Sequence, residues 1–353
     1  MPITSGGRDP SLSEWRALYD AALKFRELAP WKWMTDDQLF AVRDPESQEV
    51  GYCSVLGELD EVYALSVYPG PQGLYAYLRM EANGPGSGYR DLRLYIRCIM
   101  AEFEDRSALE PEDAKVLKEL GLRSRGRKSA PLFRTHEPFK HPWFLNASEA
   151  RFMTVMLEQA LDVCSRAKVD DSLIIVDEEA PLLTRVRPDS ILDVPWEDQR
   201  SPFPASPEEQ LFVVRPDPFD LARIKAQVSK GRGTWEIDFG CAPFPFQEVR
   251  GERPVYPLIL MIVDHDSGMV LSMDLEKSVE GEATLLQHFL SRVRTSLAIP
   301  RKLLVANPAV FAYFEEVARG LGIKMELQDR LSAMDAAYDA LAGDLARDAE
   351  PLA

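Results

Sequence analysis

The sequence predicts a two-domain α+β protein: an N-terminal helix with an antiparallel meander, then a mixed sheet with flanking helices. Three observations lead there. The chain has 353 residues, more than one core of about 100–200 residues accommodates. Its first half carries a long amphipathic helix and then short β-like runs, whereas its second half alternates strands and helices. Between them lie four prolines, Pro195, Pro202, Pro204 and Pro207, among charged residues, a composition that favours an extended linker. The expected division is 1–195, a linker 196–210, a second domain 211–346 and a tail 347–353.

In the first half, Leu12, Trp15, Tyr19, Ala22 and Leu23 recur at helical spacing. Ser11 or Ser13 can cap this helix, and Pro30 stops it. Residues 39–42, 50–56, 62–68 and 74–80 then read as strands, separated by turn clusters such as Asp44-Pro45-Glu46 and Pro69-Gly70-Pro71. After the glycine-rich stretch 83–88, an apolar segment covers 92–103. Pro111 opens a short helix that Gly121 ends, and 121–143 reads as basic and irregular. The helix over 147–168 begins with Asn146 and Glu149 as a capping-box pair, and Met153, Met156, Leu157, Ala160, Leu161 and Cys164 form its apolar face.

In the second half, 234–239, 258–263 and 269–275 are expected strands, the last two joined by the turn Asp264-His265-Asp266-Ser267-Gly268. A helix over 282–297 follows, then a strand over 303–306. Asn307-Pro308 is a cap-then-proline start for the next helix, which ends near Gly320 or Gly322. The strand 324–327 and a helix over 333–346 complete the pattern.

Composition excludes some classes of function. At 46% hydrophobic and 28% charged residues, the chain is a folded protein rather than a disordered one. A formal net charge of −16 disfavours non-specific binding to nucleic acid or anionic membrane. The start, Met1 to Gly7, lacks a basic stretch followed by an apolar one, so no signal peptide is expected. No apolar run approaches the roughly 20 residues of a membrane-spanning helix. Cys53, Cys98, Cys164 and Cys241 are scattered without metal-ligand spacing, so reduced, buried thiols in a cytoplasmic protein are expected.

The order of elements from Trp235 to Leu345 resembles the ribonuclease-H-like fold of integrases and transposases. Val263-Asp264-His265-Asp266-Ser267-Gly268 is similar to that superfamily's first catalytic strand and turn. Pro300 to Asn307 is similar to the strand that carries its second aspartate. The resemblance implies clustered carboxylates holding two Mg²⁺ ions about 3.5–4 Å apart. Asp264 could be the first carboxylate, with Asp266 or Asp274 beside it and Asp335 or Asp339 as the third. At the second position stand Ala306 and Asn307, which supply no negative charge.

The whole chain also resembles a bacterial two-domain family of unknown function, through Pro30-Trp31-Lys32-Trp33-Met34, Phe103-Glu104-Asp105-Arg106, Pro142-Trp143-Phe144-Leu145 and Arg253-Pro254-Val255-Tyr256-Pro257. That resemblance implies architecture alone.

Two further groups stand out. Arg123, Arg125, Arg127 and Lys128, with Arg134 and Lys140 beyond, are interleaved with Phe133, Phe139, Trp143 and Phe144. Cations neutralise phosphates and aromatic rings stack on bases, so this loop is an anion or nucleic-acid candidate. The competing reading is a solvated loop paired with neighbouring acids. His136 and His141 are five residues apart, which is no recognised metal-ligand spacing, and His265 and His288 lack one too. The expectation is a non-enzymatic binding or interaction protein with no cofactor and no membrane role, its partner unknown and a protein one candidate. The alternatives are a Mg²⁺-dependent nuclease around Asp264, and nucleic-acid or anion binding through the Arg123–Lys128 loop.

Overall fold

The computed structural model describes residues 7–59, 61–83, 93–124, 126–174, 181–187, 194–207, 216–231, 233–276, 282–296 and 298–348. The chain forms two compact units. The first takes most of the chain up to Pro207, and the second takes Glu208–Ala353 together with Phe139–His141 and residues 93–94.

In the first unit, β1 (Phe40–Arg43), β2 (Val50–Leu56), β3 (Ala64–Pro69), β4 (Cys98–Glu104) and β5 (Ala130–His136) form the expected antiparallel meander. β6 (Leu182–Val186) adds parallel to β1, and β7 (Glu197–Ser201) closes that end. Helices α1 (Leu12–Leu28) and α4 (Ala147–Ala167) pack side by side on one face. Their Leu18, Phe25, Phe152 and Met156 meet Cys53, Val55 and Val67 of the sheet. Fully burying one such large apolar side chain contributes about 1.5–3 kcal/mol. Both helices start as their sequences require: Ser11 with Glu14 and Asn146 with Glu149 form reciprocal capping boxes.

Three expectations need correction. Residues 74–80, read as a strand from alternating Leu-Tyr-Ala-Tyr-Leu, lie in helix α2 (Gly70–Asn83). The apparent turn Pro69-Gly70-Pro71 is the start of this helix, where a proline costs no intrahelical bond. Leu74 and Tyr77, three apart, are the side chains α2 buries against Tyr52 and Tyr68, on the sheet face opposite α1 and α4. Residues 130–136, expected to be irregular, form β5. Residues 197–201, assigned to the linker, form β7, whose Glu-Asp-Gln-Arg-Ser sequence has no apolar signal. Ion pairs hold it instead: Asp198 meets Arg166 of α4 at 2.6 Å and Arg185 of β6 at 2.7 Å. The remaining helix, α3 (Pro111–Glu119), has proline first and ends before Gly121, whose φ of +67° suits only glycine well.

In the second unit, β9 (Thr234–Cys241), β10 (Leu258–Asp264) and β11 (Val270–Glu276) are antiparallel neighbours. β13 (Lys302–Val305) runs parallel to β9, and β14 (Lys324–Leu327) parallel to β13. The order β11-β10-β9-β13-β14, with helices between the later strands, is a ribonuclease-H-like mixed sheet. Helices α5 (Pro218–Gln227), α6 (Glu282–Ser296), α7 (Pro308–Leu321) and α8 (Ser332–Asp348) flank it, and the short strands β8 (Ser229–Lys230) and β12 (Ala298–Ile299) pair beside it. Strand alternation divides the faces. Phe239 of β9 packs on Tyr313 and Phe314 of α7, and Phe289 of α6 joins them. On the other face, Ile259, Met261, Val263 and Leu304 pack against Met334 and Tyr338 of α8.

All four cysteines are buried, and none forms a disulfide. Burial pushes the Cys98 thiol up to about 12.

The close approach of α2 to β3 depends on Gly73, where an added Cβ would lie 2.7 Å from the Tyr68 carbonyl carbon. Backbone cannot yield as a flexible side chain does. Gly73→Ala is therefore expected to lower unfolding free energy by about 1–3 kcal/mol in urea titration, although alanine is the better helix former.

Candidate functional site

The sequence singles out Asp264, and its surroundings are those of a turn. Asp264 Oδ1 accepts from Ser267 N at 2.9 Å and from Ser267 Oγ at 2.7 Å. Its backbone carbonyl accepts from Gly268 N, and its N–H donates to Met269 O. The β1–β2 hairpin repeats this pattern: Asp44 Oδ2 accepts from Ser47 N at 2.7 Å and Ser47 Oγ at 2.6 Å, and its backbone bonds Gln48 and Glu49 in the same way. Gln48 and Gly268 both have positive φ, 62° and 70°. One turn, Asp-x-x-Ser followed by a left-handed residue, thus serves both units. Hydrogen bonds from the Ser267 side chain, then its backbone, hold the Asp264 carboxyl below the usual carboxylate range.

The other candidates do not gather around Asp264. Asp264 pairs with Trp235, and Asp274 with Leu260, so both occupy strand positions on the α6–α7 face. Asp274 Oδ1 is 3.2 Å from His288 Nδ1 of α6, and Glu276 Oε1 is 2.8 Å from His288 Nε2. Asp335 lies in α8, on the opposite face, and meets Arg330 at 2.7 Å. Asp266 is exposed in the turn. Among the described residues, no group of three or more His, Cys, Asp or Glu is placed to hold a metal ion. The set Asp264, Asp266, Asp274 and Asp335 therefore does not fit a Mg²⁺ pair.

The sequence reading missed the acids of β9. Glu236 and Asp238 occupy the α8 face of this strand. Glu236 is 1% exposed; its Oε1 lies 2.7 Å from His265 Nδ1, and its Oε2 accepts from Met334 N at 2.7 Å. Met334 N is one of the unpaired N–H groups at the start of α8, and Leu331, just before the helix, has no side-chain acceptor. Glu236 thus caps α8 from a neighbouring strand, where the helix dipole favours a negative charge. Leu304 pairs with Glu236, and continuing that register sets Ala306 level with Asp238. The strand order makes β9, rather than the β10 hairpin, the first strand of the fold. Two acids at alternate positions in an otherwise apolar strand are the signal that could have found them, because a buried carboxylate needs partners.

The basic segment is also differently placed from its appearance in sequence. Arg134 lies within β5, bonded to Asp113 at 2.8 and 3.0 Å and to Glu110 at 2.9 Å, over the Phe144 ring. Phe133 is buried edge-to-face on Tyr19. Lys128 donates to Glu61 O and its N–H bonds Asp105. Arg123 and Arg127 are exposed, and Arg125 falls outside the described residues. Of the described candidates, Arg134 and Lys128 are thus engaged by other parts of the chain, while Arg123 and Arg127 face solvent. His136 ends β5, whereas His141 stacks beside Tyr256 in the second unit. Asn307 Oδ1 caps α7 by accepting from Ala309 N at 2.8 Å.

Arg134→Ala leaves Asp113, 7% exposed, buried without its guanidinium, an effect of about 3–5 kcal/mol in chemical denaturation. Arg123→Ala or Arg127→Ala should stay within about 0.5 kcal/mol of wild type. Because folding lowers the Asp264 pKa, its contribution is present above the unfolded carboxylate value of about 3.9 and fades as pH falls through the lower folded value. The stability gap between wild type and Asp264→Asn should thus be open at pH 7 and narrow below about pH 4. A gap independent of pH would contradict the charged turn.

Residues 15–185 match a domain of unknown function (DUF7309), and residues 220–342 match another domain of unknown function (DUF6930). No curated protein matches the chain. Among solved structures, the catalytic core domain of HTLV-2 integrase, in a trimeric form with magnesium, is similar at 18% identity. The match covers 36% of this chain and 79% of that one, with a TM-score of 0.25. The strand order, not this likeness, carries the fold assignment. The chain joins two domains of unknown function, the second built on a ribonuclease-H-like sheet.

Proposed function

We propose that this protein is a non-enzymatic binding or interaction module whose second domain keeps a nuclease-like sheet without nuclease chemistry. The observation that carries the reading is the closed α8 face. There Met261, Val263, Leu304, Met334 and Tyr338 form an apolar cluster beside Glu236, which is committed to capping the helix. Water and two hydrated metal ions would need a polar, open pocket at that place. Ala306 stands where the resemblance implies a second aspartate, and the remaining candidate carboxylates occupy opposite faces of the sheet. The partner we infer is a protein, since a net charge of −16 opposes polyanions.

A bacterial, cytoplasmic setting accompanies the proposal. It is supported by the resemblance to bacterial proteins and by four buried thiols outside any disulfide. No described helix is long and apolar enough to cross a membrane.

The test is titration calorimetry with Mg²⁺ and Mn²⁺ alongside cleavage assays on single- and double-stranded DNA and RNA. The expected result is no saturable metal binding and no metal-dependent cleavage. Turnover that disappears in Asp264→Ala or Asp238→Ala would overturn the proposal.

A further inference from the structure

The two large sheets have four outer edges, and three are guarded. β7 is Glu-Asp-Gln-Arg-Ser. β14 carries Lys324 and Glu326 in ion pairs that include Lys302. β5 exchanges two backbone hydrogen bonds with Trp143. β11 differs: among the described residues no strand pairs with its outer side, and its seven residues include no lysine, arginine or proline. Such residues are the usual protection of an edge.

Its side chains are apolar on one face and acidic on the other. Val270, Met273 and Leu275 pair with Val263, Met261 and Ile259, so they extend the cluster under α8 onto a strand the helix leaves open. Met273 and Leu275 are 45% and 46% exposed, and Met269 at the turn is 60% exposed. The alternate positions hold Asp274 and Glu276, which share the single His288 of α6 at 3.2 and 2.8 Å and keep 25% and 23% of their side-chain surface exposed. From Asp264 to Glu276 the chain has four carboxylates and no lysine or arginine.

Building on the non-enzymatic reading, we propose that the outer edge of β11 docks an extended segment of a partner protein in which apolar and basic residues alternate. Backbone hydrogen bonds would add this segment as a sixth strand. Its apolar side chains would cover Val270, Met273 and Leu275, and its cations would face Asp274 and Glu276. Charge selects this occupant over a second copy of the chain. Antiparallel pairing of β11 with itself would line one face of the joint with acids from both copies, which is unfavourable.

The test uses fluorescence anisotropy on the full chain with labelled peptides of about ten residues. One alternates valine and lysine, one alternates valine and glutamate, and one has the first composition in two blocks. The alternating valine–lysine peptide should bind saturably and more weakly as salt rises. The other two should not bind saturably. Met273→Lys with Leu275→Lys should weaken binding by about ten-fold or more and leave the melting temperature unchanged, since both side chains are exposed. The proposal fails if the valine–lysine peptide does not bind, if either control binds equally, or if the paired substitutions have no effect. It also fails if sedimentation finds a dimer that those substitutions dissolve. Metal-dependent cleavage by a chain that still discriminates the peptides would sink the non-enzymatic reading alone.

Discussion

One buried carboxylate sets how the second sheet is closed. Removing an ionised carboxylate from water is costly unless charge and hydrogen bonds replace the lost hydration. Glu236 receives both. The first turn of α8 offers Met334 N and the positive end of its dipole, and His265 lies against the other oxygen. Each partner restricts a different element. The helix must begin where its N–H groups can reach β9, and the β10–β11 turn must bring His265 back to the same place. Met334 and Tyr338 then fall onto Met261 and Val263, and the apolar cluster follows from the position of the cap.

This arrangement changes what the inherited strand order means. A mixed sheet with β9 at its centre sets acids from strand and helix on one face, which is the geometry a metal-dependent enzyme needs. In this chain Glu236 is consumed by structure, Ala306 is uncharged, and the space between β10 and α8 is filled by methionine, valine and tyrosine. Packing at this face and the absence of a charge at Ala306 go together in physical terms. A polar pocket opened for water and ions could not also supply the close packing of Met261, Val263, Leu304, Met334 and Tyr338. Interaction surfaces are then to be sought where the apolar face runs out from under α8, along β11.

Much of the fold was legible in sequence because its signals are local. The serine cap of the first helix, the capping box at Asn146, the Asn307-Pro308 helix start and the apolar run of β10 depend on neighbours within four residues. The failures share a cause too. α2 was concealed because Leu-Tyr-Ala-Tyr-Leu alternates as a strand does, while its burial against Tyr52 and Tyr68 is decided by distant residues. β7 has no apolar pattern at all, and Arg166 and Arg185, remote in sequence, hold it. The site was less legible than the fold. A resemblance drew attention to the conspicuous Asp264 turn, whereas Glu236 and Asp238 on the central strand were passed over inside an apolar run. Only the register of β9 against β10 and β13 shows which carboxylates share a face.

The repeated turn explains why Asp264 misleads. In both hairpins an aspartate bonds the amide and hydroxyl of a serine three residues on, and a left-handed residue completes the reversal. The first hairpin, with Asp44, lies outside any nuclease-like pattern, yet its hydrogen bonds match those of Asp264 within about 0.2 Å. The aspartate in this motif is therefore explained by the turn alone. A metal at Asp264 would have to compete with two donors held in place by the chain itself, and among the described residues no group of three or more His, Cys, Asp or Glu is placed to hold one. Asp274, the nearest candidate by strand position, is already engaged by Ser272 and His288. An acid in a tight turn earns a catalytic reading only when its oxygens face other acids rather than their own backbone, and here that condition fails at each candidate in turn.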